Sequence, residues 1–261
     1  EHLPAGCDYY QARAYAEAAA ELEDVVIFPT GFWMGDVCGA KAIEDPISKH
    51  KAGFICISAE LRMKILSEIC DEIARNGFRK VLIVNNHGGN KAWLYHFTRV
   101  QVDEPRNYAT MYTNAHTDNV LPAKLLPVIK ENPERFSYLT EEDMKTLERF
   151  AETGCGGGHG HICETAVVQT VVPQCVNIQR SVDISGLSTH RADYLENEGI
   201  AAGFTWGENY PNMFEAFDSV GSTATIGRAM LDVAAERLAR IYKMLKEDED
   251  CVRMAQGLPK E

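Results

Sequence analysis

The stretch Val81-Leu82-Ile83-Val84-Asn85-Asn86-His87-Gly88-Gly89-Asn90 reads as a strand running straight into a functional loop. Its apolar part is short and β-branched and is followed by Asn and Gly, the pattern of a parallel strand buried on both faces. The residues after Asn90, Lys91 through Tyr95, read as a helix. His87 therefore sits at the carboxyl end of a strand, where open α/β sheets keep their ligands. The glycine pair lets backbone approach a ligand closely, which a Cβ would resist. Taken alone, the same residues also describe a tight strand-to-helix turn with a solvated histidine.

A second cluster follows at Gly156-Gly157-Gly158-His159-Gly160-His161-Ile162-Cys163-Glu164-Thr165. His, Cys and Glu in a glycine-rich loop match the composition of a metal site. The plainer reading is a loop whose Glu164 or Thr165 satisfies the free amides of a helix start. In an extended chain broken by glycine, His159 and His161 do not face the same way, so different roles are expected for them. Cys163 reads as packing, or else as a weak ligand or nucleophile.

The amino terminus supplies a third block, Glu1-His2-Leu3-Pro4-Ala5-Gly6-Cys7-Asp8. HLPxGxD near the start, NxHGGN after a strand and HxxxxET in the second half together resemble the creatininase (creatinine amidohydrolase) family of metal-dependent amidohydrolases. The order and spacing of the three blocks match across nearly the whole chain. The resemblance implies a three-layer α/β/α fold with a mainly parallel central sheet, in one domain over residues 1–261. It implies divalent metal ions, two per chain (Zn, Mn or Fe), with Asp8, His87 and Glu164 as ligands and His159 as the catalytic proton-moving group. It also implies a homo-oligomer, a hexamer in this family.

Residue by residue, Asp8 falls on the family's metal-bridging Asp, His2 on the last His of its first motif and His87 on its strand-end His. Gly89 stands where creatininase itself carries a metal-binding Glu, so the chain follows the HGGN branch, and Glu164 is the candidate replacement. The family's first Glu and first His would lie ahead of Glu1, and an amino-terminal segment carrying them and a first core strand is expected there. The segment from His50 to Ser58 matches the family's H-x-x-F-P-G-T-I-S weakly, without its Pro, Gly and Thr. His50 reads as a solvated loop residue.

The implied chemistry follows from these residue types. Divalent ions polarise a carbonyl and bring the pKa of a bound water toward neutrality, giving a hydroxide nucleophile without serine or cysteine. An Asp can bridge two ions through its two acceptor oxygens. An imidazole free of metal can protonate a leaving nitrogen. The expected reaction is hydrolysis of a carbon-nitrogen bond in an amide or cyclic amide, with creatinine disfavoured by Gly89 and the altered loop from His50. The donor set suits Zn, Mn or Fe. A non-catalytic binding or scaffold subunit is the alternative. A phosphate-binding role for the HGGN loop meets no GxGxxG or Walker pattern in its support.

Composition agrees with a globular enzyme: 261 residues, 45% hydrophobic and 25% charged, suffice for one α/β domain. The net charge of -12 argues against nucleic acid or an anionic membrane as partner. No run is long and apolar enough to span a bilayer. Eight cysteines occur without a CxxC pair, which predicts reduced thiols and a cytoplasmic protein.

The expected elements alternate. A helix is predicted from Tyr10 to Leu22, a strand over Val25 to Phe28, and a long loop over Thr30 to Ile57 whose Phe32, Trp33 and Met34 wall a pocket or a subunit contact. A helix capped by Ser58 is expected to bury Leu61, Ile65, Ile69 and Ile73 and to stop at Asn76-Gly77. Tyr108 to Tyr112 reads as another strand. Pro122 to Phe150 reads as broken helix with a solvated face over Glu141 to Arg149. Gly203 to Phe217 reads as a pocket or interface edge, and Thr223 to Lys246 as a closing amphipathic helix.

Overall fold

The computed structural model describes residues 2–28, 35, 57–116, 118–154, 158–183, 185–212, 214 and 218–258. The predicted wall at Phe32, Trp33 and Met34, and also His50, lie outside the described residues.

Helix α1 (Cys7–Ala20) starts after Gly6, whose φ of 80 turns the chain into the helix, and buries Gln11, Tyr15, Ala16 and Ala19. Helix α2 (Ala59–Arg75) is capped as predicted: the Leu61 amide donates to Ser58 Oγ at 3.3 Å. It ends at Asn76, and Gly77 turns away with φ 98, a conformation that a Cβ disfavours. Strand β1 (Lys80–Asn85), helix α3 (Asn90–Val100) and strand β2 (Ala109–Asn114) then form a βαβ unit. The two strands pair in parallel from Lys80 opposite Ala109 to Asn85 opposite Asn114, and among the described residues they are the whole sheet.

The sheet is covered on both faces, because alternate β1 residues point to opposite sides. Leu82 and Val84 pack against a core built from Tyr15, Leu125, Leu147, Phe150, Ile162, Met230 and Leu238. Val81 and Ile83 pack on a second cluster of Leu66, Cys70, Leu94, Phe97 and Tyr108. This helix-sheet-helix layering is the expected α/β arrangement, although the strand's apolar residues are half-buried rather than sealed.

The second half is helical: α4 (Pro122–Glu131), α5 (Glu141–Glu152), α6 (Ile162–Val171), the short α7 (Asp193–Asn197) and α8 (Thr205–Asn209), the long α9 (Ala224–Glu247) and α10 (Cys251–Ala255). Thr140 and Asp143 form a reciprocal capping box on α5. The Ile226 amide donates to the Thr223 hydroxyl at the start of α9. Arg237 of α9 donates to Asn114 O at 3.0 Å and Thr113 Oγ1 at 3.1 Å, tying that helix to the end of β2.

Three expectations change. Val25 to Phe28 is not a strand: it is unpaired chain with Val26 72% exposed, because no neighbouring strand among the described residues meets its backbone. In α2 the buried row is Arg62, Leu66, Cys70 and Ala74, while Leu61 is 46% exposed. Both rows have i, i+4 spacing, and the side that lies on the sheet and α3 takes the adjacent row. The charged span from Glu141 to Arg149 is solvated on one face only; α5 buries Asp143, Thr146, Leu147 and Phe150.

Candidate active site

The end of β1 is organised by amide side chains. Asn85, 4% exposed, donates from Nδ2 to His87 O and to Asn114 Oδ1, each at 3.0 Å. Its Oδ1 accepts from the His87 amide and from Asn90 Nδ2, each at 3.2 Å. Asn90 Oδ1 in turn accepts the indole N–H of Trp93 at 2.8 Å. The loop is thus clamped through the two Asn residues that flank His87 and its glycines.

The glycines themselves do not demand their conformation. Neither Gly88 nor Gly89 has positive φ, and a Cβ at Gly88 would meet nothing within 4 Å. What they leave is open space immediately after His87.

Held this way, the His87 imidazole reaches α1. Its Nδ1 lies 3.1 Å from Asp8 Oδ2, with the two side chains 19% and 29% exposed. The other carboxylate oxygen, Asp8 Oδ1, is shielded from solvent and has no hydrogen-bond partner among the described residues. An ionised carboxylate oxygen is an acceptor only, so this atom is left wanting a donor or a cation. Two ligands on one tetrahedral ion stand about 3.3 Å apart for bonds of about 2.0 to 2.1 Å. Asp8 and His87 therefore fit a shared divalent ion.

Glu164 is placed differently from its two expected co-ligands. It lies in the first turn of α6, and its Oε2 accepts the Gly160 amide at 2.6 Å. This is the helix-start role that composition also allowed for it. Among the described residues no group of three or more His, Cys, Asp or Glu converges as a metal cluster. Burial, with the charges of Asp8 and then Glu164, pushes the Cys7 thiol on α1 well up from its ordinary range.

The glycine-rich turn divides its two histidines, as the chain direction predicted. His159 is half-buried, its ring edge-on to Trp206 at 5.3 Å, and Trp206 lies 5.9 Å from Tyr210. His161 is fully buried, edge-on to Phe150 at 5.2 Å, with neither ring nitrogen hydrogen-bonded among the described residues; burial lowers its pKa to about 4. Between them Gly160 has φ 68, and a Cβ there would stand 2.5 Å from the Phe214 ring.

His2 belongs to the same region. Its Nε2 lies 2.8 Å from Thr165 Oγ1, and its ring meets Phe214 edge-on at 5.4 Å. The Thr165 and Ser219 hydroxyls both donate to Gly160 O, at 3.2 and 3.0 Å. Burial lowers the His2 pKa to about 4. The first and third sequence blocks thus pack directly on each other. Cys163 is 1% exposed with its thiol 3.8 Å from Val120 O, a packing role.

Sequence reading assigned no work to Asn85, Asn90 or Trp93, and gave Thr165 only a helix-start role and Phe214 only a place on a pocket or interface edge. The two asparagines were visible inside NxHGGN, and of the partners described above Asn114 is the one that comes from a distant part of the chain.

The sequence profile of the Creatininase family, described as creatinine amidohydrolase, matches residues 1–242. Among solved structures, the chain is similar to a Bacteroides fragilis NCTC 9343 protein described as a candidate creatinine amidohydrolase. That match has TM-score 0.62 and 17% identity, and covers 95% of this chain and 85% of that one. The chain is similar also to a mutant creatininase of Zn-Zn type, with TM-score 0.59, 14% identity and coverage of 95% and 86%. A creatininase described with Mn gives TM-score 0.60, 13% identity and the same coverage of 95% and 86%. At such identities these structures establish the shared fold. No curated protein matches the chain.

Proposed function

Because the chain belongs to the creatininase family of amidohydrolases, we propose that it hydrolyses the carbon-nitrogen bond of a small amide or cyclic amide with the help of divalent metal, two ions per chain. The observation that carries this reading is the Asp8–His87 contact, with Asp8 Oδ1 buried and unpartnered at the carboxyl end of the sheet. Asp8, His87 and Glu164 are the proposed ligands. Zn, Mn and Fe all suit imidazole and carboxylate donors, and relatives of Zn-Zn type and with Mn support the first two. When bound, such an ion polarises a carbonyl and lowers the pKa of a coordinated water toward neutrality.

The chain's own residues supply the rest. Asn85 fixes the backbone of His87 on both its N–H and its C=O. The space in front of Gly88 leaves room for a substrate to come close to that backbone. His159 is the proposed proton donor to the leaving nitrogen, a task for which imidazole is the commonest side chain. Trp206 stands edge-on to its ring at 5.3 Å.

A non-catalytic member of the family is the second reading. The commitment of the Glu164 carboxylate to the Gly160 amide favours it. Elemental analysis of the purified protein separates the two. About two metal ions per chain, with turnover on a panel of amides and lactams, supports the hydrolase. A protein that takes up no Zn, Mn or Fe on reconstitution overturns it.

We further propose a cytoplasmic homo-oligomer, a hexamer as the resemblance implied. Cys7, Cys70, Cys163, Cys175 and Cys251 are free thiols, and no helix among the described residues is long and apolar enough to cross a membrane. Val182, Leu187, Tyr194, Ile200 and Phe204 are each more than half exposed along one stretch, apolar surface of the kind that subunits cover.

A further inference from the structure

The hydrogen-bond chain behind His87 has a polarity, set by the indole N–H of Trp93 at one end and by the backbone N–H and C=O of His87 at the other. An indole N–H only donates, so Asn90 must turn its Oδ1 toward Trp93, where the distance is 2.8 Å. That leaves Asn90 Nδ2 to face Asn85, whose Oδ1 accepts at 3.2 Å. With its oxygen so engaged, Asn85 presents Nδ2 to His87 O and to Asn114 Oδ1. The same Asn85 oxygen accepts the His87 N–H. Reversing either amide would bring oxygen against oxygen at one or more of these contacts.

The indole end of the chain is itself braced. Trp93 packs against the cluster of Leu66, Cys70, Leu94 and Phe97. The Arg62 guanidinium lies 5.4 Å from the centre of its ring and donates to Gly35 O at 2.9 Å. A buried cation over an aromatic face is a favourable contact, so the indole is braced by the cluster and by Arg62.

We propose that Trp93 is a positioning residue for the His87 imidazole, acting through Asn90 and Asn85 by the direction in which its indole N–H points. The inference rests on the reading of His87 as a metal ligand for its consequence, but not for its geometry. Partners of this kind orient a ligand without touching the ion, and their loss typically weakens metal affinity by about 10- to 100-fold.

The test uses the full chain with Trp93→Phe, which keeps an aromatic ring under Arg62 and removes the donor, and Asn90→Asp, which keeps shape and removes the amide donor to Asn85. Two readouts are taken. In metal-stripped protein labelled at histidine nitrogen, the His87 ring resonances, identified with His87→Gln, report its contact with Asp8. Zn titration then gives the dissociation constant for each variant. Expected are displaced His87 resonances in Trp93→Phe, Zn binding weaker by about tenfold or more, and a double variant no worse than Asn90→Asp alone, since both act in one chain. Unchanged His87 resonances with wild-type Zn affinity in Trp93→Phe overturn the proposal, as does full additivity of the two substitutions. If the wild type binds no metal yet Trp93→Phe still displaces the His87 resonances, the positioning role stands and the hydrolase reading falls.

Discussion

Asp8, in the first turn of α1, stands with Oδ2 3.1 Å from Nδ1 of His87, the residue that follows β1 by two positions, while its Oδ1 is buried without a partner. One contact thus joins the amino-terminal block to the strand-end block. Replacing His87 with Ala should remove metal and activity together. Replacing His159 with Ala should leave metal content intact and lower kcat by about 100- to 10,000-fold, the usual range for a lost acid-base group. Metal analysis beside steady-state kinetics checks the division; equal metal loss in both variants would contradict it.

Gly160 should tolerate no side chain. Its φ of 68 and the 2.5 Å approach of a Cβ to the Phe214 ring combine backbone strain with a clash. Gly160→Ala should cost about 1 to 3 kcal/mol in urea unfolding. It should also depress kcat more than that loss explains, because the displaced turn carries His159. Wild-type kinetics in this variant would separate the turn from the chemistry.

Gly227 marks where α6 and α9 touch. A Cβ on it would stand 2.0 Å from Ala166 O and 2.3 Å from Thr170 Oγ1, which itself donates to Ala166 O. Both are backbone or backbone-bound atoms, so the helices themselves must separate. Gly227→Ala should therefore destabilise the fold by about 1 to 3 kcal/mol, read as a lower urea midpoint. A neutral or stabilising effect, as helix propensity alone would give, would show that this approach is looser than described.

Stability should fall as pH drops from about 6.5 to about 4. His2 and His161 are buried neutral, with pKa lowered from 6.5 to about 4 mainly by desolvation. Above 6.5 neither the folded nor the unfolded chain protonates them. Below it the unfolded chain takes up protons that the folded one refuses, up to about 1.4 kcal/mol per pH unit for each group. His161→Leu, which removes two unpartnered ring nitrogens from the core, should flatten the dependence of the urea midpoint between pH 7 and 5. An unchanged slope would mean that His161 is protonated in the fold.

The helices and the strand that carry the site were legible because their signals are local. Ser58 and Asn76-Gly77 bound α2 through hydrogen bonds and a backbone turn within a few residues of themselves. The β-branched run before Asn85 specified β1 in the same way, and the glycines around His159 announced a turn. The family followed from three short blocks whose order survives along the chain.

What the sequence by itself determined, then, was the alternation of elements and the residue types offered for chemistry at their ends. Only the tertiary structure decided which apolar row of α2 faces inward, because two rows with the same i, i+4 spacing differ only in what lies opposite them. It also decided that Asp8 meets His87 while Glu164 turns to Gly160, and that an indole N–H on α3 orients the amides behind His87. Such contacts depend on distance and direction between groups in space, and residue spacing along a sequence carries neither.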